Sequence, residues 1–337
     1  MINMDIRITN PQCYSAKGNK PNQEDSLFPR QGKATVDTRV FLLCDGMGGH
    51  EHGEVASACV VDTIGQMTSG LPRCTTEEMR KAFEEALVKT YQNLDELDKS
   101  ESERKMGTTL TFLALCTDGV LVAHIGDSRV YQLRPGKGIV FQTRDHSLVN
   151  DLLASGEISK EEALSHPQRN VITRAIQPHQ EYPAKATYTV LTDVKKGDVF
   201  FMCCDGVVEL LDNDDLCKYL LDDEPISKRL ANIEKECKAR NTRDNNTAYL
   251  IELKEVCDID TVEVESVEND DTLQPEPVKK QRNKFAMLII VLIAIIVGVL
   301  AFIFLSASSG ADNNDTNHID VHQKTEQVQG TITRHKK

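Results

Sequence analysis

Four aspartates in this 337-residue sequence lie at the ends of short apolar runs. Asp45, Asp127 and Asp205 each follow such a run, and Asp244 precedes one that starts at Thr247. Because a short apolar run suits a buried strand, an aspartate at its end is held at a sheet edge. Several such ends brought together concentrate carboxylates, which repel one another unless a cation lies between them. Carboxylate oxygens suit Mg²⁺ or Mn²⁺, so the sequence predicts a site for more than one metal ion.

The net charge bears on the kind of partner, and the cysteine content bears on the cellular compartment. The formal net charge is −13 at pH 7, and no stretch the size of a domain is basic. Since nucleic acid binds to a basic face, we expect no nucleic-acid partner. All ten cysteines precede Phe285, and none has Cys-x-x-Cys spacing. Most lie in apolar runs, which favours core residues in a reducing compartment over zinc ligands or disulfides.

The apolar pattern predicts a layered α+β body between about residues 5 and 254. Runs rich in β-branched or aromatic residues predict strands at 38–44, 108–116, 119–125, 128–133, 198–204 and 247–253. Helices are predicted at 53–67, 76–97, 148–155 and 226–240. Thr75-x-x-Glu78 and Ser159-x-x-Glu162 are capping-box patterns. Because the strands come in hairpin-like neighbours, the sheets are expected to be largely antiparallel.

A change in composition after Leu253 predicts a domain boundary. Residues 1–254 are assigned to the globular domain, and 255–284 to a flexible linker that is first acidic and then basic. Residues 285–305 are apolar and uncharged, and a helix of that length spans a bilayer core of roughly 30 Å. Basic residues at 279, 280, 282 and 284 precede it, which predicts a single-pass inner-membrane protein with a cytoplasmic domain. Residues 306–337 are the predicted short polar extracytoplasmic tail.

The aspartates stand in motifs that offer further ligands. Glu24 and Asp25 are adjacent, and neighbouring side chains of a strand face opposite ways, so one can reach a site while the other orients it. The glycines after Asp45 let the backbone approach a ligand and expose carbonyls. Glu209 follows Asp205 by four residues and would lie on the same side of a short helical turn. Each motif alone is also explained by a surface turn or loop. Their number and order favour a shared site.

The sequence resembles the protein phosphatase 2C-type (PPM) metal-dependent protein serine/threonine phosphatases over roughly residues 6–254. The similar motifs are, in order, Glu24-Asp25, Asp45-Gly46 with Gly48-Gly49, Gly107-Thr108-Thr109, Gly126-Asp127-Ser128-Arg129, Asp205-Gly206 and Asp244-Asn245. The form Asp-Gly-Met-Gly-Gly-His is most similar to the bacterial branch. The resemblance implies a β-sandwich of two antiparallel sheets flanked by helices, with a metal centre at one end.

The resemblance also implies metal-binding roles. Asp45 should bridge two metal ions, and Asp205 and Asp244 should complete the ligands of one of them. Glu24, through water, and the Gly46 carbonyl should serve the other. Mn²⁺ or Mg²⁺ is the expected cofactor, with two and up to three ions.

Four further positions complete the expected site. Asp127 matches a third, weaker metal position of bacterial members. Asp25 and Glu209 are expected to contact the ligands rather than the metals. Lys20 stands where many members have an arginine that grips the substrate phosphate, so it is assigned to substrate binding and, with Asp45 and Asp205, to catalysis. A lysine keeps the charge but loses the bidentate fork, and a plain surface lysine is the alternative.

The expected reaction needs no nucleophile from the protein. Two divalent ions about 3.5–4 Å apart lower the pKa of a bridging water, which then attacks phosphorus directly. The ions also offset charge on the phosphoryl oxygens as the alkoxide leaves. Met47 stands where eukaryotic members have a histidine, so water is expected to protonate the leaving group. We expect a phosphatase acting on the phosphoprotein targets of a Ser/Thr kinase.

Two other functions stay open from the sequence. A phosphoprotein-binding pseudophosphatase would keep the fold and lose turnover, and Lys20 is the only substitution in its favour. A membrane scaffold would recruit partners through its cytosolic body, but it would leave the ordered carboxylates unexplained.

Overall fold

Two antiparallel sheets lie at the centre of the protein. The computed structural model describes residues 3–48, 52–99 and 105–258. The strands are β1 (Met4–Ile8), β2 (Gln12–Ala16), β3 (Ser26–Phe28), β4 (Val40–Cys44), β5 (Gly46–Met47), β6 (Gly107–Thr108), β7 (Leu110–Leu115), β8 (Val120–Ile125), β9 (Arg129–Arg134), β10 (Gly138–Gln142), β11 (Thr187–Leu191), β12 (Val199–Cys203) and β13 (Asn246–Asp258). The helices are α1 (Gly53–Ser69), α2 (Thr76–Leu97), α3 (Leu148–Ser155), α4 (Lys160–Leu164), α5 (Asp205–Val208), α6 (Asn213–Leu220) and α7 (Ile226–Ala239).

The strand order defines two sheets and a small separate ladder. One sheet runs β1-β13-β12-β9-β10, and β2 pairs with the beginning of the long strand β13. The other runs β11-β8-β7-β4-β3, and β5 pairs only with β6. Every strand pair among the described residues is antiparallel. The predicted pair of antiparallel sheets is therefore confirmed.

Strand β4 shows why its sequence is apolar without alternation. Phe41 and Leu43 point into the core shared with the other sheet, where Phe41 meets Tyr249 edge-on at 5.4 Å between ring centroids. Leu42 and Cys44 point the other way, into a second core covered by helices α1 and α2. Because successive residues of a strand face opposite sides, a strand buried on both faces has no polar positions.

Helices cover the outer faces of both sheets. Ile64 of α1 and Phe83 of α2 belong to the same buried cluster as Phe112 of β7, with the Phe83 and Phe112 rings 4.8 Å apart. On the opposite side, Leu230 and Ile233 of α7 are buried, and the helix packs on β2 and β13. The protein is thus layered helix, sheet, sheet, helix, as the α+β prediction requires.

Most predicted elements are present with ends shifted by a few residues. Both capping boxes are formed: the Thr75 and Ser159 hydroxyls accept from the N–H of Glu78 and Glu162, whose carboxylates accept in return. Strands β1, β2, β10 and β11 were not predicted, because they lie at or near sheet edges and carry mixed, partly exposed sequences.

One local prediction was wrong. The argument for Glu24 and Asp25 placed both acids in a strand, whereas β3 begins at Ser26. Both residues lie in the segment just before that strand, and both are buried. Glu24 lines the cavity described below, and Asp25 does not.

The predictions for the C-terminal part lie outside the described residues. These are most of the 255–284 linker, the 285–305 membrane helix and the 306–337 tail. Across the ranges that the structure describes, no helix has both the length and the apolar composition needed to cross a membrane. The membrane segment therefore stays a prediction from sequence.

Candidate metal centre

Asp45 is held by its backbone at the end of β4. Its N–H donates to the Thr109 hydroxyl at 3.0 Å. Its carbonyl accepts from the Thr108 hydroxyl and from the Thr109 N–H, each at 2.9 Å. Three backbone contacts fix the chain at this point, so the carboxylate position follows from the sheet rather than from a flexible loop.

Gly46 brings the Glu24 segment against Asp45. Its N–H donates to the Glu24 carbonyl at 3.2 Å. A Cβ at this position would lie 2.5 Å from the Glu24 carbonyl oxygen and 2.4 Å from that of Gly53, closer than any side chain tolerates. The residue must be glycine so that three backbone segments can meet here.

A second glycine joins the Asp205 and Asp244 loops. Asp205 begins the short helix α5 directly after β12, and the Glu209 N–H donates to the Asp205 carbonyl at 2.8 Å. A Cβ on Gly206 would lie 2.0 Å from the Asn245 carbonyl oxygen. Asp205 and Asp244 are therefore brought together by direct backbone packing.

Asn245 ties the same loop to the N-terminal segment. Its side-chain oxygen accepts from the Glu24 N–H at 2.8 Å, and its amide donates to the carbonyls of Lys17 and Asn22 at 2.8 and 2.9 Å. The residue is 2% exposed. This one side chain uses all its principal hydrogen-bonding capacity to position backbone that carries predicted ligands.

Asp127 follows β8 through a glycine turn. Gly126 has φ +100°, a conformation that favours glycine. Its N–H donates to Nδ1 of His146 at 3.1 Å, and His146 stacks on His124 at 4.5 Å. Burial, with the charges of His124 and Arg174, lowers the pKa of His146 to about 4, so the ring stays neutral and Nδ1 can accept. The turn that aims Asp127 is thereby fixed.

These elements converge on one cavity of about 770 Å³. It is lined by seven of the predicted site residues: Lys20, Glu24, Asp45, Gly46, Asp127, Asp205 and Asp244. The Lys20 ammonium lies 2.9 Å from the Asp244 carboxylate, so it is part of the site and not a free surface lysine. Met47 also lines the cavity, whereas Gly49 and His50 lie outside the described residues.

Asp25 and Glu209 do not line this cavity. Asp25 lies behind it, with its carboxylate within 4.8 Å of Asp45 and of the Cys204 thiol. Glu209 is exposed on the neighbouring groove, where its carboxylate accepts from the Asn170 amide at 2.9 Å. Glu209 adds negative charge near Asp205 and raises the pKa of that residue. The roles expected for Asp25 and Glu209 stay predictions.

The crowded acids resist ionisation. Burial, then the charges of Asp25, Asp205, Asp127 and Asp244, hold the pKa of Asp45 well above its usual range. Burial and the nearby acids raise the pKa of Asp205 to about 6 and the pKa of Asp127 to about 7. Burial, partly offset by Lys20, also raises the pKa of Glu24. Like charges in a low-dielectric site repel one another. The carboxyl groups of the cluster can therefore all be ionised only when cations are bound among them.

The donor set fits divalent metal ions. Neither carboxylate oxygen of Asp25, nor Oδ1 of Asp205, has a hydrogen-bond partner among the described residues, although all three atoms are buried. A buried carboxylate without partners is costly unless it binds a cation. Carboxylate and carbonyl oxygens are the ligands that Mg²⁺ and Mn²⁺ prefer.

Three residues at the site were not singled out from the sequence. Glu54, in the first turn of α1, lines the cavity and raises the pKa of Glu24. Asn170 also lines it, and Cys204 lies behind it. An acid directly after a glycine-rich loop is a signal for Glu54. Asn170 and Cys204 are recruited from distant parts of the chain and have no local signal.

Comparisons with known proteins identify the family of this chain. The family model for protein phosphatase 2C matches residues 14–242. The protein phosphatase PhpP of Streptococcus pneumoniae is 32% identical over 216 residues, which are 64% of this chain and 86% of PhpP. The solved serine/threonine phosphatase of S. agalactiae is 28% identical with a TM-score of 0.65, over 74% of this chain and 100% of that one.

A further solved structure is the catalytic domain of the serine/threonine protein phosphatase PstP in complex with two manganese ions. It is 25% identical to this chain with a TM-score of 0.58, over 76% of this chain and 100% of that one. The family match, the shared fold and the ordered acids lead to the same conclusion: the chain belongs to the protein phosphatase 2C family.

Proposed function

We propose that this protein hydrolyses phosphoserine and phosphothreonine in proteins with two or three bound Mn²⁺ or Mg²⁺ ions. The observation that carries the proposal is the convergence of Asp45, Asp127, Asp205 and Asp244 on one cavity. These acids come from four distant stretches of the chain, and their mutual repulsion raises the pKa of several of them. A fold maintains such a cluster at a cost in stability, and metal binding offsets that cost.

The carboxylates would hold the metals. Asp45 is fixed by Thr108 and Thr109, and four other acids lie close enough to raise its pKa, so its carboxylate would be a metal ligand. Asp205, Asp244, Glu24 and Gly46 line the same cavity and would supply further oxygen ligands, Gly46 through its carbonyl. Bound divalent ions make water nucleophilic near neutral pH and offset charge on a phosphoryl group.

Other residues would act on the substrate. Lys20 lines the cavity, and its ammonium group lies beside Asp244. The positively charged ammonium can donate a hydrogen bond to a phosphate oxygen of the substrate. Burial lowers the pKa of Lys20, but the hydrogen bond and charge of Asp244 outweigh it, so the net pKa is raised and the ammonium is retained. Met47 lines the same cavity and cannot donate a proton, so solvent protonates the departing alkoxide.

The proposal is tested by Mn²⁺-dependent release of phosphate from a phosphothreonine peptide. Asp205→Asn keeps the size of the side chain and removes its charge, so the rate should fall by roughly 10²–10³-fold. Asp223→Asn is the matched control, because Asp223 is exposed and outside the cavity.

The same assay separates the pseudophosphatase alternative. If the wild-type protein binds the phosphopeptide across a range of Mn²⁺ concentrations and releases no phosphate, the protein is a binding module rather than an enzyme. The intact set of acids at the cavity favours the enzyme.

The membrane assignment is part of the proposal and rests on sequence. The uncharged run 285–305, preceded by four basic residues, would cross the inner membrane once and keep the phosphatase domain in the cytoplasm. Fractionation of the full-length chain and of a chain ending at residue 284 tests this. The full chain should pellet with membranes, and the shortened chain should not. If both chains distributed equally between membrane and soluble fractions, the proposed membrane anchor would be contradicted.

A further inference from the structure

A cysteine lies among the buried acids behind the cavity. The Sγ of Cys204 and one carboxylate oxygen from each of Asp25 and Asp45 all lie within 4.8 Å of one another. Cys204 is the last residue before helix α5 and is 0% exposed. The three side chains come from three separate segments, so the fold itself assembles them.

Asp25 supplies a carboxylate that could bind a cation. The residue is 7% exposed, and neither of its carboxylate oxygens has a hydrogen-bond partner among the residues that the structure describes. A buried carboxylate close to a thiol and to a second carboxylate offers the donor atoms of a cation site.

The environment of Cys204 suits a metal-bound thiolate. The Thr247 N–H donates to Sγ at 3.1 Å, an interaction that stabilises negative charge on sulfur. The thiol in turn lies 3.4 Å from the Asn245 carbonyl, to which it donates.

We propose that Asp25, Asp45 and Cys204 form a binding site for a thiophilic divalent cation such as Zn²⁺. Thiolate ligands favour zinc over magnesium and manganese, and two carboxylates with one thiolate leave room for a water in a tetrahedral shell. On binding, the S–H bond of Cys204 breaks, a sulfur–metal bond forms and the proton leaves to solvent.

The site has a consequence for the proposed phosphatase, and that consequence rests on the proposed function. Asp45 belongs both to this site and to the proposed Mn²⁺ or Mg²⁺ centre. A thiophilic ion that takes Asp45 therefore competes with the ions that support hydrolysis. Zinc would inhibit the enzyme through Cys204, a residue that the hard-ion centre does not use.

Cadmium is the probe that reports thiolate ligation directly. Cd²⁺ is added to the full-length chain in mild detergent, and the ultraviolet thiolate-to-cadmium charge-transfer band is followed. A Cys257→Ser background removes an exposed thiol that would bind cadmium by itself. The high-affinity band should weaken in Cys204→Ser, with affinity reduced at least about tenfold. Cys203→Ser is the matched control, since Cys203 is the equally buried neighbour and is not in the cluster.

Serine at position 204 can keep both hydrogen bonds, to Thr247 and Asn245, so the variant is expected to fold. Thermal unfolding checks this, and Asp25→Asn, which retains the thiol, provides a second variant that should also lose cadmium affinity. A band that is unchanged in both Cys204→Ser and Asp25→Asn would overturn the site. The readout is independent of turnover, so an inactive protein with the expected band would reject the proposed function and keep this site.

Inhibition by Zn²⁺ gives the matching kinetic test. Each variant is compared with its own Mn²⁺-supported rate on a phosphothreonine peptide. The Zn²⁺ concentration for half inhibition should rise at least about tenfold in Cys204→Ser and stay unchanged in Cys203→Ser. Equal Zn²⁺ sensitivity in wild type and Cys204→Ser would contradict the shared use of Asp45.

Discussion

The side-chain oxygen of Asn245 accepts a hydrogen bond from the Glu24 N–H at 2.8 Å. The two residues are 221 positions apart in the sequence. The amide of Asn245 also donates to two carbonyls of the segment that leads to Glu24. This one buried side chain therefore sets the position of the N-terminal segment relative to the Asp244 loop, and with it the relative position of proposed ligands.

Replacing Asn245 with alanine should weaken metal binding more than it weakens the fold. We expect Mn²⁺ affinity to fall by about 10–100-fold, the range for groups that orient metal ligands. The stability loss should be about 1–3 kcal/mol from the unpaired backbone groups. Calorimetric Mn²⁺ titration and urea unfolding measure the two effects.

Asn246→Ala is the control for that substitution. Asn246 is equally buried, but its amide makes only a 3.4 Å contact to the Ala16 carbonyl. It should lose stability and keep Mn²⁺ affinity. If both variants lost affinity to the same extent, Asn245 would have no special role in positioning.

Gly206→Ala should separate the Asp205 and Asp244 loops. The added Cβ would lie 2.0 Å from the Asn245 carbonyl oxygen, so backbone must move. We expect a loss of about 1–3 kcal/mol in stability, as for other overpacked sites, together with weaker Mn²⁺ binding. Gly70→Ala is the control, because Gly70 has φ −82° and nothing lies within 4 Å of the added atom. Unchanged stability and metal affinity in Gly206→Ala would contradict the described packing.

Most of the fold could be predicted from the sequence because the central strands are buried on both faces. Runs such as Val199–Cys203 have no polar position, and the helices α1 and α2 carry clear periodicity or a capping box. The edge strands β10 and β11 were missed for the opposite reason. Both strands are only partly buried, with Val140 and Val190 exposed, so they do not form the continuous buried runs of the central strands. Each is a strand because it pairs with a neighbour, β10 with β9 and β11 with β8.

The convergence of the acids on one cavity could be predicted where the proposed ligands lie at strand ends. Asp45 and Asp205 each follow a buried strand, which is a local signal. The contacts of Asn245 and the approach of Cys204 to Asp25 depend on tertiary packing between distant segments. No periodicity or spacing encodes them, so they could be found only in the folded structure.

Asp25 should make stability fall as pH rises when metals are chelated. Burial, reinforced by Asp205 and Asp244, raises the pKa of Asp25 to about 7, against about 4 in the unfolded chain. Between about pH 4 and pH 7 the folded state holds the proton more tightly, so the free energy of unfolding decreases as the pH rises. The contribution of this group is at most about 4 kcal/mol.

Urea unfolding in EDTA at pH 5 and pH 7.5 measures the contribution of Asp25 to the free energy of unfolding. Asp25→Asn removes the titrating group, so the variant should gain stability relative to wild type as the pH increases. The difference isolates Asp25 from groups of opposite sign such as His146, whose pKa is lowered to about 4. If the free energies of unfolding of wild type and variant differed by the same amount at both pH values, the pKa of Asp25 would not be raised in the folded protein.

Lys20→Arg should improve substrate binding, and Lys20→Met should weaken it. Arginine can offer two parallel donors to a phosphate, whereas lysine offers a point charge. We expect KM for a phosphothreonine peptide to fall severalfold in the arginine variant and to rise about tenfold in the methionine variant, with smaller changes in kcat. A methionine variant with wild-type KM would exclude Lys20 from the substrate phosphate.

The number of Mn²⁺ ions bound per full-length chain tests the central claim most directly. The electron paramagnetic resonance signal of free Mn²⁺ gives this number for wild type, Asp45→Asn and the exposed control Asp223→Asn. The convergence of the acids predicts about two tightly bound ions in wild type and in the control, and loss of tight binding in Asp45→Asn. Equal Mn²⁺ binding by wild type and Asp45→Asn, or none by either, would contradict the account.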